Sequence, residues 1–230
     1  MSISFAGPCP VCGSEAFAYH PVLWPELIGS WQLAEDEVAY IDRQQGFSCA
    51  ECHNNLRALA LAAAILRAYG YKGTLHQYCS TFPELRVLEI NQAGNLTAFL
   101  SQIPAHRLIE YPVYDMTNLD IESDQFDLVV HSDSLEHVPY PEKGLSECRR
   151  ILRDGGLCIF TVPIVVGRMT RSRAGLLPSF HGDSDVKAMD QVVHTEFGAD
   201  VWQFVLRARF SSIEVVSLEY PAGMALVAKK

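Results

Sequence analysis

The stretch VLEINQAGNL, residues 87–96, decides the fold of this chain. Its first four residues are mostly apolar, which is typical of a short buried strand. The small and polar residues that follow predict a turn, and LTAFL at residues 96–100 has the pattern of a helix. A strand, a tight turn and a helix in this order predict the beginning of an α/β unit.

Two later runs resemble the first strand, FDLVV at residues 126–130 and LCIFTV at residues 157–162. The sequence between them predicts a helix over residues 141–152, which Gly155 and Gly156 end. Continuous apolar strands that alternate with helices predict a parallel sheet with both faces covered.

The C-terminal residues predict a helix near 199–208 and then two strands, 213–218 and 224–228. The short connection between these strands predicts an antiparallel pair at the edge of the sheet. The expected fold is therefore α/β, with a doubly wound, mostly parallel sheet and an antiparallel C-terminal edge strand.

Four of the seven cysteines form two pairs, Cys9 with Cys12 and Cys49 with Cys52. Each pair has the C-x2-C spacing that places two thiolates on one side of a tight turn, and two such turns supply a tetrahedral Zn²⁺ site. Four free cysteines or a redox pair are the alternatives, and His53 is a less favoured replacement ligand. We expect a structural zinc ion in a small N-terminal module.

Changes in residue composition and pattern along the sequence predict that the chain has three parts. Residues 1–53 form the zinc module and are expected to be irregular. Residues 54–80 form a connecting helix and linker, with Asn54 or Asn55 as its N-cap. Residues 81–230 form the sheet domain, and residues 164–197 lack a regular pattern, which predicts a lid-like insertion.

The segment at residues 87–96 resembles motif I of the class I S-adenosylmethionine-dependent methyltransferases, of the type 11 kind, in which a glycine-rich loop follows an acidic residue. The later segments 115–138 and 151–163 are similar to that family's acidic loop, fourth strand and fifth strand, in the same order. Only about 36 residues separate Ile90 from Phe126, so one helix and one strand are expected to be shortened or lost. The resemblance implies the class I methyltransferase fold and S-adenosylmethionine as the methyl donor.

The resemblance also implies roles for single residues. Glu89 would orient the donor's ammonium group, and the loop at 91–95 would lie behind the methionine moiety, although Asn91, Ala93 and Asn95 stand where glycines are usual. An acid after the second strand would bind the ribose. The full set of cofactor-binding residues implied in this way is Glu89, Asn91, Ala93, Gly94, Glu110, Asp115, Met116, Ser132 and Asp133.

Methyl transfer needs a base only when the acceptor must lose a proton. His181 and His194 lie in or beside the expected lid and are the candidate bases, whereas His137 is expected to have a structural role. Some methyltransferases that carry a zinc module act on sugars, so the acceptor is expected to be a small molecule or a glycan.

Composition limits the partners. The net charge of −9 argues against a nucleic acid partner, although Arg168, Arg171 and Arg173 form a local basic patch that could bind a polyanion. No apolar run approaches the length of a membrane span and no secretory signal begins the chain, which predicts a cytoplasmic protein with no membrane partner. Oligomeric state is left open. A binding module without turnover is an alternative function, and a nicotinamide-dependent oxidoreductase is a weaker one, because the first turn lacks G-x-G-x-x-G.

Overall fold

The computed structural model describes residues 7–81, 83–180 and 191–230, which form a central sheet with helices on both faces and a smaller N-terminal part. The elements of the N-terminal part are β1 (Phe17–Tyr19), α1 (Pro25–Trp31), α2 (Glu35–Gly46), β2 (Phe47–Cys49), α3 (Leu56–Ala68) and α4 (Leu75–Ser80). The remaining elements are β3 (Arg86–Ile90), α5 (Thr97–Leu100), β4 (Ala105–Ile109), β5 (Phe126–Ser132), α6 (Pro141–Ile151), β6 (Leu152–Thr161), β7 (Ile164–Val165), β8 (Arg171–Ser172), β9 (Thr195–Gly198), α7 (Trp202–Arg207), β10 (Ser212–Glu219) and β11 (Gly223–Lys229).

The central sheet has six strands in the order β10-β11-β6-β5-β3-β4. β3, β4, β5 and β6 run parallel to one another, whereas β11 is antiparallel to β6 and to β10. One hydrophobic core lies on each face of the sheet, since alternate strand residues such as Val130 and Val129 point to opposite sides. The predicted fold class, including the antiparallel edge pair, is confirmed.

The connection from β3 to β5 contains the short helix α5 and a single strand, β4, which forms one edge of the sheet. All residues of this connection are described. The shortening expected from the chain length between Ile90 and Phe126 is therefore present. As a consequence, the end of β4 lies at an open border of the sheet, where neighbouring loops can reach the ends of β3 and β5.

Helix α3 begins where the sequence predicts, because the Asn55 side chain accepts a hydrogen bond from the Ala58 amide (3.1 Å). Its apolar circumference is explained by its neighbours, since it packs against β6, β10 and β11 as well as β2. The helix thus covers one face of the sheet. The boundaries between the three predicted parts of the chain, after residues 53 and 80, stay predictions.

The prediction that the chain before residue 53 is irregular is wrong, because α1 and α2 form there. Pro25 occupies the first turn of α1, and three acidic residues, 35–37, occupy the first turn of α2. Both features favour the start of a helix, the acids because they interact with the positive end of the helix dipole. We call α1 and α2 together the helical cap.

The helical cap packs against the segment predicted as a lid. Trp31 and Ile41 of the cap share a small apolar core with Val165 and Val193, and the Trp31 indole donates a hydrogen bond to the Ser179 hydroxyl (2.8 Å). The described residues of the segment are more regular than the sequence pattern suggests, because β7, β9 and β8 form a small sheet. A lid function stays a prediction, and residues 181–190 lie outside the described residues.

The basic patch is neutralised within the fold. The Arg168 guanidinium binds the Glu37 carboxylate, and Arg171 and Arg173 both bind Glu196. Glu37 and Glu196 are buried, so these arginines stabilise internal acids, and binding of a polyanion at this patch stays a prediction. Within the described ranges, no helix combines the length and the apolar character needed to cross a membrane.

Candidate functional site

A cavity of about 590 Å³ lies at the carboxyl ends of β3, β4 and β5. It is bounded by Asn91 after β3, Tyr111 after β4 and Asp133 after β5. Ligands of open α/β sheets bind at this edge, where the loops that leave adjacent parallel strands separate. We refer to this space as the donor cavity.

The structure brings about half of the sequence-predicted site residues to the donor cavity. The predicted residues that line the cavity are Asn91, Asp115, Met116, Asp133 and His194. His181 lies outside the described residues. The predicted residues that are not part of the described lining are Glu89, Ala93, Gly94, Glu110 and Ser132.

Glu89 is completely buried beneath the loop that follows β3. One carboxylate oxygen accepts hydrogen bonds from the Ala93 amide (2.8 Å) and the Thr97 hydroxyl (2.6 Å), and the other lies 2.8 Å from Nε2 of His106 on β4. These contacts fix the path of the loop and join it to the neighbouring strand. The ammonium-orienting role of Glu89 stays a prediction.

Asn91 stands at the first of the usual glycine positions and has a positive φ of 55°. Asparagine tolerates this left-handed conformation better than most residues with a side chain. Its side-chain oxygen accepts from the Tyr111 amide (3.0 Å), and its amide nitrogen donates to the Ser134 hydroxyl (3.2 Å). Asn91 therefore connects the ends of three strands, which a glycine could not do.

Asp115 and Met116 lie side by side on the wall that the resemblance assigns to adenine. The exposed Asp115 carboxylate accepts hydrogen bonds from the amide and hydroxyl of Thr117 (2.7 and 2.8 Å), while Met116 is buried. An apolar surface beside a carboxylate acceptor suits a purine ring with an exocyclic amine. Glu110 accepts a hydrogen bond from the Gln92 side chain (3.1 Å), and its role as a ribose ligand stays a prediction.

The segment after β5 contains two predicted residues in different surroundings. The Ser132 hydroxyl is buried and bonds to the Thr161 hydroxyl (2.8 Å). Asp133 has a positive φ of 46°, and its carboxylate forms an ion pair with Arg57 of α3. Burial lowers the pKa of Arg57 to about 10, so the guanidinium stays charged at neutral pH.

The four predicted zinc ligands converge in the N-terminal part. Their Sγ atoms all lie within 4.8 Å of one another, and the Cys9–Cys52 and Cys12–Cys49 Sγ distances are both 3.6 Å. Four sulfurs at about 2.3 Å from a zinc ion in a regular tetrahedron are about 3.8 Å apart. The donor set therefore fits zinc in both chemistry and size.

The two cysteine turns have the same backbone geometry. The Gly13 amide donates to the Cys9 carbonyl (2.8 Å), and the His53 amide donates to the Cys49 carbonyl (3.0 Å). Gly13 and His53, each directly after the second cysteine, both have a positive φ, 86° and 55°. His53 thus serves as a turn residue, and the candidate metal cluster consists of the four cysteines.

Residues 68–160 match the family model described as a methyltransferase domain. The matched segment contains β3, β4 and β5 and therefore the three strand ends that form the donor cavity. This segment of the chain, residues 68–160, is therefore similar to a methyltransferase domain.

One relative of known sequence resembles a short part of the chain, and one relative of known structure resembles a larger part at low sequence identity. A demethylmenaquinone methyltransferase of Clavibacter sepedonicus is 40% identical over 60 residues, which are 25% of this chain and 24% of that protein. The chain thus matches about a quarter of that relative's length. A possible histamine N-methyltransferase of Thermotoga maritima is 16% identical, with coverages of 67% of this chain and 86% of that chain and a TM-score of 0.40.

A second solved structure extends over nearly all of both chains. It is the Burkholderia thailandensis 1,6-didemethyltoxoflavin N1-methyltransferase, which is 16% identical and covers 93% of this chain and 95% of that chain, with a TM-score of 0.44. Because both structural TM-scores lie below 0.5, neither structure supports an assignment of substrate to this chain.

Sequence reasoning missed the aromatic side chains of the donor cavity. Tyr111 and Tyr140 line it and are 55% and 69% exposed, and Tyr114 adds a third ring whose hydroxyl accepts from Arg107 (2.9 Å). Exposed tyrosines at a cavity mouth can stack on a planar ligand. The position of Tyr111, two residues after the end of β4, was the one sequence signal that could have indicated it.

Two histidines, His194 and His137, lie on the wall of the donor cavity. His194 is anchored through its amide, which donates to the Glu136 carbonyl (2.8 Å), and His137 approaches the Val192 carbonyl through Nδ1 (3.1 Å). Burial, with a smaller contribution from His137, lowers the pKa of His194. A neutral imidazole can accept a proton, but the role of His194 as a base stays a prediction.

Proposed function

We propose that this protein transfers the methyl group of S-adenosylmethionine to a small-molecule acceptor. The observation that carries the proposal is the donor cavity at the ends of β3, β4 and β5, inside the segment that matches the methyltransferase domain. Its volume of about 590 Å³ lies in the range of small-molecule sites, and its walls combine aromatic and apolar side chains with polar ones.

The residues of the cavity have distinct roles in this proposal. Asp115 accepts a hydrogen bond from the adenine amine, and Met116 packs against the ring. Tyr111 and Tyr140 cover the ligand and exclude water. Asn91 holds the three strand ends in register. When bound, the donor supplies a methyl group on a positively charged sulfur, so the protein's main task is to position the two reactants.

The four-cysteine site is proposed to hold a structural zinc ion. Both turns are closed by main-chain hydrogen bonds, and four thiolates leave no coordination position for a substrate. Cys9 and Cys49 are buried. The ion would therefore stabilise the N-terminal part and take no part in methyl transfer.

Calorimetric titration with S-adenosylhomocysteine tests the proposal, with NAD as the comparison ligand. We expect one site per chain for S-adenosylhomocysteine and none for NAD. Asp115→Asn should weaken binding about 10-fold or more, since a hydrogen bond to a charged group contributes about 1.5–3 kcal/mol. The control is Asp120→Asn, an exposed acid in the same loop that does not line the cavity. Absence of binding to the zinc-loaded wild type would overturn the proposal.

A binding module without turnover is the second candidate. The observation that favours it is the Glu89 carboxylate, whose oxygens are both engaged by protein groups beneath the loop. Mass spectrometry after incubation with labelled donor and an acceptor panel separates the two. Any methylated product supports the enzyme, whereas tight donor binding with no product in the panel supports the module.

The proposal also includes the acceptor class, the partners and the cellular location that the sequence predicts. The acceptor is a small molecule or a glycan, and nucleic acid is not expected because of the net charge of −9. The cytoplasm is the proposed location, because the methyl donor and the product in this scheme are both small molecules found inside cells. The demethylmenaquinone methyltransferase relative is consistent with a small-molecule acceptor.

A further inference from the structure

A second cavity, of about 350 Å³, lies beside the donor cavity and beneath the helical cap. Asp133 lines both cavities, so they meet at the end of β5. We call the second space the cap cavity. A molecule in it would lie next to the methyl-donor side of the donor cavity, which is the position that an acceptor requires.

The wall of the cap cavity is largely apolar. It is formed by side chains that the cap supplies or that directly precede it, namely Leu23, Trp24, Leu27, Trp31 and Ile41. The turn before α1 is held in place by Asp42 of α2, which accepts from the amides of Val22 and Leu23 (2.6 and 2.8 Å). The backbone that carries this part of the apolar wall is thus fixed by the fold.

The polar groups of the cap cavity are confined to Gln45, Arg57 and Asp133. Arg57 forms its ion pair with Asp133 and donates to the Gln45 side-chain oxygen (2.7 Å), and the Gln45 amide approaches Asp133 (3.4 Å). Two atoms of this group, Nε of Arg57 and Oδ1 of Asp133, are inaccessible to solvent and have no hydrogen-bond partner among the described residues.

One unpaired atom is a donor and the other is an acceptor, so a ligand group that both donates and accepts suits this end of the cavity. A hydroxyl can accept from Nε of Arg57 and donate to Oδ1 of Asp133 at the same time, whereas a carboxylate cannot donate and an amine cannot accept once charged. Buried polar atoms without partners are costly, so a ligand that satisfies both gains affinity at this end of the cavity.

We infer that the cap cavity binds the methyl acceptor and that the acceptor is a small aromatic compound with one hydroxyl group, held at Arg57 and Asp133. This inference rests on the proposed function. A sugar fits less well, because most of its hydroxyl groups would be buried against Trp24, Trp31 and leucine side chains without hydrogen-bond partners. An aromatic ring gains from contact with the two tryptophans.

The inferred reaction is an O-methylation. The acceptor oxygen forms a bond to the methyl carbon while the carbon–sulfur bond of the donor breaks, and that bond's electron pair stays on sulfur. The hydroxyl proton moves to Oδ1 of Asp133. The donor's positive charge disappears as the Asp133 carboxylate is neutralised by this proton, so charge and atoms balance.

Calorimetric titration with 2-naphthol, with and without saturating S-adenosylhomocysteine, tests the inference. We expect one site for 2-naphthol, binding at least 10-fold weaker for 2-methoxynaphthalene, which lacks the donor hydrogen, and no binding of methyl glucoside. Trp24→Ala should weaken 2-naphthol binding about 10-fold and leave S-adenosylhomocysteine affinity unchanged. The matched control is Trp202→Ala, since Trp202 is 44% exposed on α7 and lines neither cavity.

If Trp24→Ala does not fold, a second variant, Gln45→Ala, still tests the inference. Gln45→Ala should reduce the preference for 2-naphthol over its methyl ether, 2-methoxynaphthalene. Binding of methyl glucoside that Trp24→Ala weakens would overturn the inference, as would wild-type protein that binds S-adenosylhomocysteine but not 2-naphthol. Failure of S-adenosylhomocysteine to bind would count against the proposed function, and 2-naphthol binding measured without it would still show whether the cap cavity takes an aromatic hydroxyl compound.

Discussion

The Asn95 side-chain amide donates a hydrogen bond to the main-chain carbonyl of His53 (2.9 Å). Asn95 belongs to the loop after β3, at one of the usual glycine positions, and His53 closes the second cysteine turn. The contact joins the candidate zinc site to the loop behind the donor cavity. Replacement of glycine by asparagine at this position thus creates a link between the two parts of the chain.

Asn95→Ala should weaken binding of S-adenosylhomocysteine about 2- to 10-fold, because loss of one hydrogen bond of about 0.5–1.5 kcal/mol lets the loop move. Titration calorimetry measures the change. Gln203→Ala on α7 removes a partly exposed amide that accepts a hydrogen bond from Arg207, and it serves as the control. Equal affinity of Asn95→Ala and wild type would show that the link does not support the donor site.

Cys12→Ser should abolish zinc binding and lower the melting temperature by about 10 °C or more. Loss of a structural zinc site removes several kcal/mol, and each kcal/mol corresponds to about 2–4 °C for a chain of this size. Metal analysis and thermal unfolding give the two readouts. Cys79→Ser changes a buried cysteine outside the cluster and should keep one zinc ion per chain. Full zinc content in Cys12→Ser would contradict the assignment.

Arg168→Ala should lower the free energy of unfolding by about 2–4 kcal/mol, because it leaves the buried Glu37 without its ion pair. Arg168 also donates to the carbonyls of Trp31 (2.7 Å) and Gln32 (2.6 Å), which attach the helical cap. Denaturant unfolding measures the loss. Arg153→Ala removes a more exposed ion pair and should cost less than about 1 kcal/mol. Similar losses in both variants would count against a special role for Arg168.

The buried side chain of His131 should make the free energy of unfolding depend on pH. Its ring is buried against Phe160, and burial lowers its pKa from 6.5 to about 4, while the charge of Glu136 partly opposes that shift. Between these values the unfolded chain binds a proton that the folded chain does not. The free energy of unfolding therefore rises with pH in this window, by up to about 1.4 kcal/mol per pH unit from this group.

His131→Leu should remove that contribution. Its curve of unfolding free energy against pH should be flatter than the wild-type curve between pH 4 and 6.5, and parallel to it above pH 7, where the ring is neutral in both states. Curves that stay parallel over the whole range would show that His131 is not protonated on unfolding.

Strong local patterns explain why the sheet could be predicted from the sequence. The runs at β3, β5 and β6 are short and continuously apolar because both faces are covered, and the Asn55 cap of α3 is a local interaction. The cysteine cluster was predictable because C-x2-C spacing is set by the metal. The helical cap was not predicted, since α1 is short and α2 is weakly apolar, and both depend on packing against the segment after β6.

The candidate site was predictable in part for the same reason. Asn91, Asp115 and Asp133 follow strand ends, so their approach to one cavity follows from parallel strand order. The partner of Asp133 could not be predicted, because Arg57 comes from a helix far away in sequence. The cap cavity depends on the packing of α1 and α2 over β5, which no local pattern specifies.

A crystal structure of the zinc-loaded protein with S-adenosylhomocysteine tests the central claim most directly. The account predicts density for the ligand in the donor cavity, with its adenine beside Asp115 and Met116 and its sulfur facing Asp133. Density at another place, or an empty donor cavity at saturating ligand, would contradict it.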